Sequence, residues 1–163
     1  MCNITIYKDV AVVMGSESDK VTMNHSIEML QVLRIPYEVY IISAHRTPER
    51  LFKFAKSAQQ VGFKVIIAGA GGAAHLPGMI ASLTFLPVIG VPICSKYLNG
   101  LDSLLSIVQM PKGVSVSTMS IGTSGAYNAA ITAASILALS DDQIACRLHI
   151  WRQQQTNEIK DKP

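Results

Sequence analysis

From Val65 to Ser95 the chain carries no Asp, Glu, Lys or Arg. A run of that length without charge belongs in a protein core or a bilayer, since charged side chains otherwise settle on the surface. Crossing a bilayer takes about 20 apolar residues in one helix. Here Gly69, Gly71, Gly72, Gly78 and Gly90, with Pro77, Pro87 and Pro92, interrupt the run. Proline inside a helix removes a hydrogen bond and clashes with the preceding turn. The stretch therefore reads as strand, glycine loop, short helix and strand, and no membrane association is expected.

Strands buried on both faces belong to parallel sheets covered by helices on two sides, and the flanking sequence alternates accordingly. VAVVM (Val10–Met14) is a short β-branched run, and Asp19–Leu33 has apolar residues at helical spacing. YEVYII follows Pro36, and Thr47-Pro48 spells a cap and first residue for a helix through Val61. KVIIA is the third strand, with a short helix begun around Pro77. VIGV is the fourth, followed by a helix over Leu101–Gln109. GVSVSTMSIG is the fifth, followed by a helix over Tyr127–Leu139. Five βα units predict an α/β three-layer sandwich with a five-stranded parallel sheet, flavodoxin-like in order 2-1-3-4-5. Residues 1–163 suit a single domain by length. Ser140-Asp141-Asp142-Gln143 spells a capping box for a C-terminal helical extension over 141–156. Its apolar stripe, Ile144, Leu148 and Trp151, must cover the core edge or a neighbouring chain. Residues 157–163 form a polar tail.

Hydrophobic residues make up 49% and charged residues 15%, which excludes disorder and suggests surface covered by sister subunits. The net charge of +3 comes from scattered Lys and Arg without a basic tract, so no nucleic-acid partner is expected. Cys2, Cys94 and Cys146 are odd in number and lack metal-type spacing, and MCNITIYKDV lacks an export signal. A reducing cytoplasmic location without a structural disulfide is expected.

Ligands of open α/β sheets bind where strands end at their carboxyl sides. After the first strand comes Gly15-Ser16-Glu17-Ser18-Asp19, after the second Ser43-Ala44-His45-Arg46-Thr47, and after the third Gly69-Ala70-Gly71-Gly72-Ala73-Ala74-His75. Ser16 or Ser18 can cap the first helix. The same helix start can attract phosphate, and an ionised Asp19 can accept two sugar hydroxyls. Asp19 should then face ribose, since it would repel phosphate. Arg46 offers a donor fork suited to phosphate. His45 can give and take a proton near neutrality, and His75 can line the same pocket. His25 and His149 fall within helices and read as surface or packing residues.

GAGGAA matches the dinucleotide pattern G-x-G-x-x-A, but it follows the third strand and no acid occurs between Glu49 and Asp102. A nicotinamide or flavin dinucleotide is thereby disfavoured. A phosphoacceptor domain lacks its aspartate after the third strand. A flavodoxin-like carrier lacks flanking aromatics other than Tyr97. No metal ligand set, Walker loop, G-x-S-x-G elbow or Cys–His signature is present. What remains is a cofactor-free site for a small phosphorylated sugar-like molecule, worked by one acid/base.

MGSESD, SAHRTP, AGAGGAAHLPGMIA, GVP and GLDSLLSIVQMPKGV stand in that order in the chain. Together they resemble the successive motifs of the class I N5-carboxyaminoimidazole ribonucleotide mutases of purine (IMP) biosynthesis, and the similarity runs from about Val10 to Trp151. The resemblance implies a flavodoxin-like fold and cofactor-free isomerisation of N5-carboxyaminoimidazole ribonucleotide to its C4-carboxy isomer. It implies ribonucleotide binding by Ser16, Asp19 and Arg46, with Ser18, Ser43, Ala70, Gly71 and Leu76 completing the pocket. His45 matches the general acid/base. A homo-octamer whose C-terminal helix packs on neighbours is also implied. The chain departs from the family's usual pattern at Ser115 and around Cys94, Lys96 and Tyr97, which bears on local loop shape and subunit contacts. Two alternatives stay open: a class II carboxylase of aminoimidazole ribonucleotide using free CO2, and a non-catalytic flavodoxin-like nucleotide or flavin module.

Overall fold

The protein is described by a computed structural model over residues 8–162; Cys2 and the start of the N-terminal segment lie outside the described residues. β1 (Val10–Met14), β2 (Tyr37–Ile41), β3 (Val65–Gly71), β4 (Val88–Ile93) and β5 (Ser117–Thr118) form one parallel sheet in the order β2-β1-β3-β4-β5. The helices are α1 (Lys20–Val32), α2 (Pro48–Val61), α3 (Leu76–Ala81), α4 (Leu101–Val108), α5 (Thr123–Leu137) and α6 (Asp142–Glu158). The expected flavodoxin-like strand order is observed.

The period-2 alternation of side chains divides the core between two faces. Val10, Val12, Met14, Val65, Ile67, Ile89 and Val91 meet α1, α5 and α6 through Met23, Leu30, Ala130 and Ile144. Ala11, Val13, Ile66, Ala68 and Val88 meet Leu51, Phe54, Leu76, Ile80 and Ile107 of α2, α3 and α4. The charge-free segment is thus the floor of both cores. Among the described residues no helix is long and apolar enough to cross a membrane.

β5 is far shorter than the GVSVSTMSIG run suggests. The segment follows β4 only through the bonds Met119 N to Gly90 O (2.9 Å) and Gly122 N to Pro92 O (2.8 Å) once the ladder stops. Gly90 and Pro92 turn the same way along β4, and proline has no N–H to return. The ladder therefore ends at Gly90↔Thr118. α5 starts earlier than its apolar spacing predicts, within the small residues Thr123-Ser124-Gly125. A side chain at Gly125 would run into the Ser120 carbonyl. At α6 the cap is Asp141, whose carboxylate accepts from Gln143 N (2.9 Å) and Ile144 N (3.1 Å). The expected first cap residue, Ser140, is not the one used.

The α6 stripe covers this chain's own core edge. Ile144 and Leu148 are buried, and Trp151 packs near Tyr127 with centroids 6.2 Å apart. Arg147 Nε donates to Leu33 O at the end of α1 (2.7 Å). The helix continues through Glu158, beyond the boundary at 156 expected from sequence, and is exposed after Trp151.

Candidate active site

At the carboxyl ends of β1, β2, β3 and β4 the loops ring one cavity of about 480 Å³, within the size range of small-molecule sites. Every residue assigned to the catalytic or binding site from sequence lines it: Ser16, Ser18 and Asp19 from the first loop, Ser43, His45 and Arg46 from the second, Ala70 and Gly71 from β3, and Leu76 at the start of α3.

The first loop makes a tight reciprocal cap. Ser16 Oγ accepts from Ser18 N (3.4 Å) and from the Ser18 hydroxyl (3.0 Å), while Asp19 Oδ2 accepts from Ser16 N (3.0 Å). The cap closes a 3-10 turn over Glu17–Asp19 and not α1 itself, the helix expected from sequence, since Asp19 at the α1 cap position makes no side-chain bond to that helix. This capping and the cavity lining are one geometry. Asp19 is nearly buried at 9% exposure. Burial pushes its carboxyl above the ordinary aspartate range, opposed by backbone bonds from Ser16 and Gly15, the Ser18 hydroxyl and the Arg46 charge. A ligand hydroxyl donating to Asp19 would favour the ionised form.

In the second loop Ser43 is the hub. Its Oγ accepts from Arg46 N (3.3 Å) and Arg46 Nε (3.2 Å). Thr47, at the cap position of α2, makes no side-chain bond to that helix. Its hydroxyl instead accepts from Ser43 N (3.0 Å) and donates to Ser43 O (2.9 Å). Arg46 is thus tethered through Nε, which leaves the two terminal amino groups without a hydrogen-bond partner among the described residues. That is the arrangement a bidentate anion needs.

The third loop turns at Gly72, whose φ of 68° favours glycine. Bonds from Ala74 N to Gly72 O and from His75 N to Ala73 O, both 2.8 Å, then deliver His75 to the start of α3. His45 Nε2 and His75 Nδ1 stand 2.9 Å apart, with ring centroids 4.9 Å apart and planes at 78°. Both rings are exposed at the cavity wall. One imidazole can hold or steady a proton on the other. His25 and His149 lie on α1 and α6, away from this cavity.

Sequence reasoning missed part of the wall. Ile93 at the end of β4, with Cys94 and Ser95 after it, lines the same cavity, although the departures at Cys94, Lys96 and Tyr97 bear, from sequence, on loop shape and subunit contacts alone. The signal available was the strand-end rule applied to β4, which neighbours β3 in the expected order. Cys94 is an exposed free thiol there, and Cys146 another on α6. Among the described residues no three His, Cys, Asp or Glu side chains cluster as a metal site.

A sequence model of the family described as AIR carboxylase matches residues 9–158, which carries all four of these loops. The chain belongs to the AIR carboxylase family. It is 59% identical over 155 residues to an N5-carboxyaminoimidazole ribonucleotide mutase of Brucella melitensis, covering 95% of this chain and 96% of that one. With the mutase of Escherichia coli K12 it shares 56% over 154 residues, covering 94% and 91%. A crystal structure of Treponema denticola PurE superposes with a TM-score of 0.83 at 27% identity, covering 91% of this chain and 92% of that one.

Proposed function

We propose that this chain converts N5-carboxyaminoimidazole ribonucleotide to 4-carboxy-5-aminoimidazole ribonucleotide in purine biosynthesis, moving CO2 from N5 to C4. Kinship carries the assignment: relatives of that name share 56–59% identity over nearly the whole of both chains. The cavity supplies the roles. The terminal amino groups of Arg46 take the phosphate, and Asp19 faces ribose hydroxyls from the opposite loop. Ser16, Ser18 and Ser43 complete the polar side, while Ala70, Gly71 and Leu76 form the apolar side.

His45 performs the proton transfers. In its protonated form it donates to N5 of the carbamate, and the N5–carboxyl bond breaks with its electron pair left on nitrogen. The CO2 formed stays against the small Ala70-Gly71-Gly72-Ala73 wall. C4 of the electron-rich imidazole attacks it, and neutral His45 removes the C4 proton to restore aromaticity. The proton count closes, so one imidazole suffices. His75 is a positioning residue: accepting the Nε2–H of His45 steadies the imidazolium and fixes the ring.

A second reading, carboxylation of aminoimidazole ribonucleotide by free CO2, is favoured by the family's own description. The names of the near relatives favour isomerisation. Supplying the carbamate ribonucleotide, and separately the unsubstituted one with bicarbonate, separates the two by which is consumed at low concentration. The expected result is consumption of the carbamate. No C4-carboxylated product from either would overturn both.

Assembly as a cytoplasmic homo-octamer is part of the same proposal, with residues 141–156 contacting neighbours. It is supported by the exposed apolar positions Leu101, Leu105 and Val108 along α4, by Leu98 in the turn before it and by Phe85, which is 99% exposed. Sedimentation equilibrium of the purified protein tests it, and a monomer at micromolar concentration would refute it.

A further inference from the structure

Gly72, at the turn of the third loop, is held from outside the cavity. Its N–H donates to Ser103 Oγ (2.9 Å), and its carbonyl lies 3.3 Å from the Ser106 hydroxyl, whose single hydrogen is shared with the nearer Asp102 O (2.7 Å). Ser103 also donates its own hydroxyl hydrogen to Ile93 O at the end of β4 (2.7 Å). One hydroxyl therefore joins the loop after β3 to the loop after β4, using its single O–H and one lone pair. Ser103 is fully buried and does not line the cavity. Its own position is fixed in turn. Ser103 N donates to Asp102 Oδ1 (3.0 Å), and that carboxylate accepts the Ser95 hydroxyl hydrogen (2.6 Å). Ser95 Oγ also accepts from Gly100 N (3.1 Å), so the loop after β4 is bound to the start of α4.

The peptide that Ser103 holds is the pivot of the third loop. On one side of it stands Gly71, part of the small wall. On the other, two successive tight turns carry the chain to His75. The β3–β4 ladder holds the wall only as far as Gly71↔Ile93. Freed at Gly72, the loop would lose the side-chain link that extends this attachment, and Gly72, Ala73 and the His75 ring would shift together. Neither tether would alter Arg46, Asp19 or Ser43, which belong to the first two loops.

We propose that Ser103, assisted by Ser106, is a positioning residue that keeps the wall between the third and fourth loops closed, so that CO2 released from N5 reaches C4 instead of escaping. This rests on the isomerisation proposed above. When containment fails, the balance is simple. The carbamate N–C bond breaks, N5 takes one proton from His45, and CO2 and the unsubstituted ribonucleotide leave. His45 regains its proton from water.

The test uses the full chain, given the carbamate ribonucleotide. Unsubstituted and C4-carboxylated products are quantified after subtracting decarboxylation in a protein-free blank. Ser103→Ala should raise the ratio of unsubstituted to C4-carboxylated product by about tenfold, the scale on which small misplacements act on a bound reactive species. The KM for the carbamate ribonucleotide should change less than about twofold, since ribose and phosphate contacts stay in place. Ser103→Cys, retaining a weaker donor and acceptor, should recover part of the ratio. A folded Ser103→Ala protein with the wild-type ratio overturns the proposal, as does one that loses thermal stability or gains KM with the ratio unchanged. If Ser103→Ala does not fold, Ser103→Cys decides: it weakens the same two bonds, and a ratio above wild type supports the proposal while a wild-type ratio overturns it. Wild-type turnover in His45→Asn would instead sink the isomerisation mechanism itself, whatever Ser103→Ala does.

Discussion

Replacing His75 by alanine should slow turnover about tenfold in the wild-type background and hardly at all once His45 is asparagine. The two rings meet at 2.9 Å between His45 Nε2 and His75 Nδ1. A hydrogen bond to a charged group is worth about 1.5–3 kcal/mol, and solvent exposure of both rings argues for the lower end. About 1.4 kcal/mol corresponds to a factor of ten in rate. His45→Asn alone removes proton transfer and should cost about 10²- to 10⁴-fold. Since His75 acts through His45, its own factor should collapse towards one in that background, giving a coupling energy near 1.4 kcal/mol in the double-mutant cycle. Folding offers no competing explanation, because His75 makes no side-chain cap bond to α3 and the ring is exposed. Its stability cost should stay within about 0.5 kcal/mol. Initial rates of C4-carboxylated product in the four proteins complete the cycle. An equal slowing by His75→Ala in both backgrounds would refute action through His45.

Arg46→Ala should weaken binding of the ribonucleotide about 10- to 100-fold in calorimetry, the loss of a charged hydrogen-bonded pair, and unchanged affinity would dismiss its phosphate role. Asp19 has a folded-state pKa raised chiefly by burial. Its stabilising contribution is therefore full below the unfolded aspartate value and is lost as pH rises through the folded one. Asp19→Asn should accordingly match wild-type stability in acid and exceed it increasingly through that window, while ribonucleotide binding weakens. Urea titrations across pH check this, and a constant difference would contradict it. Leu30→Ala, at a fully buried position, should cost about 2–5 kcal/mol in urea unfolding. Leu139→Ala, at 88% exposure, should change stability by less than about 0.5 kcal/mol.

Strand and helix order was legible because burial on both faces leaves a continuous apolar run, and those runs stand between amphipathic segments. The 2-1-3-4-5 order followed from the unit count and a fold-level preference. Periodicity alone does not encode it. The extent of β5 was not legible, because the defect lies in its partner: Pro92 of β4 cannot return a hydrogen bond. The start of α5 was hidden by small residues without an apolar stripe. At the site, the three loops were found by their position after strands and their unusual residue types. The β4 loop was overlooked because Ile93-Cys94-Ser95 carries no charge or ring to draw attention. Nor does any local pattern connect Ser103 to Gly72, a contact that exists only once α4 folds beside β3 and β4.

The floor of the cavity and the centre of the molecule are the same backbone. Gly69, the β3 residue just beneath the cavity lining at Ala70, backs onto the sulfur of Met23, so an added methyl there would meet α1. Ala70 and Leu76 face the cavity and one core layer together. Such positions cannot be retuned for a different substrate without disturbing the packing that holds the sheet together. The rim is under no such constraint: Ser18, His45, Arg46 and Cys94 are solvent-facing, and exchange there leaves the interior intact. A change of substrate in this architecture should therefore run through the loop edges, with the glycine and alanine floor among the last places to drift.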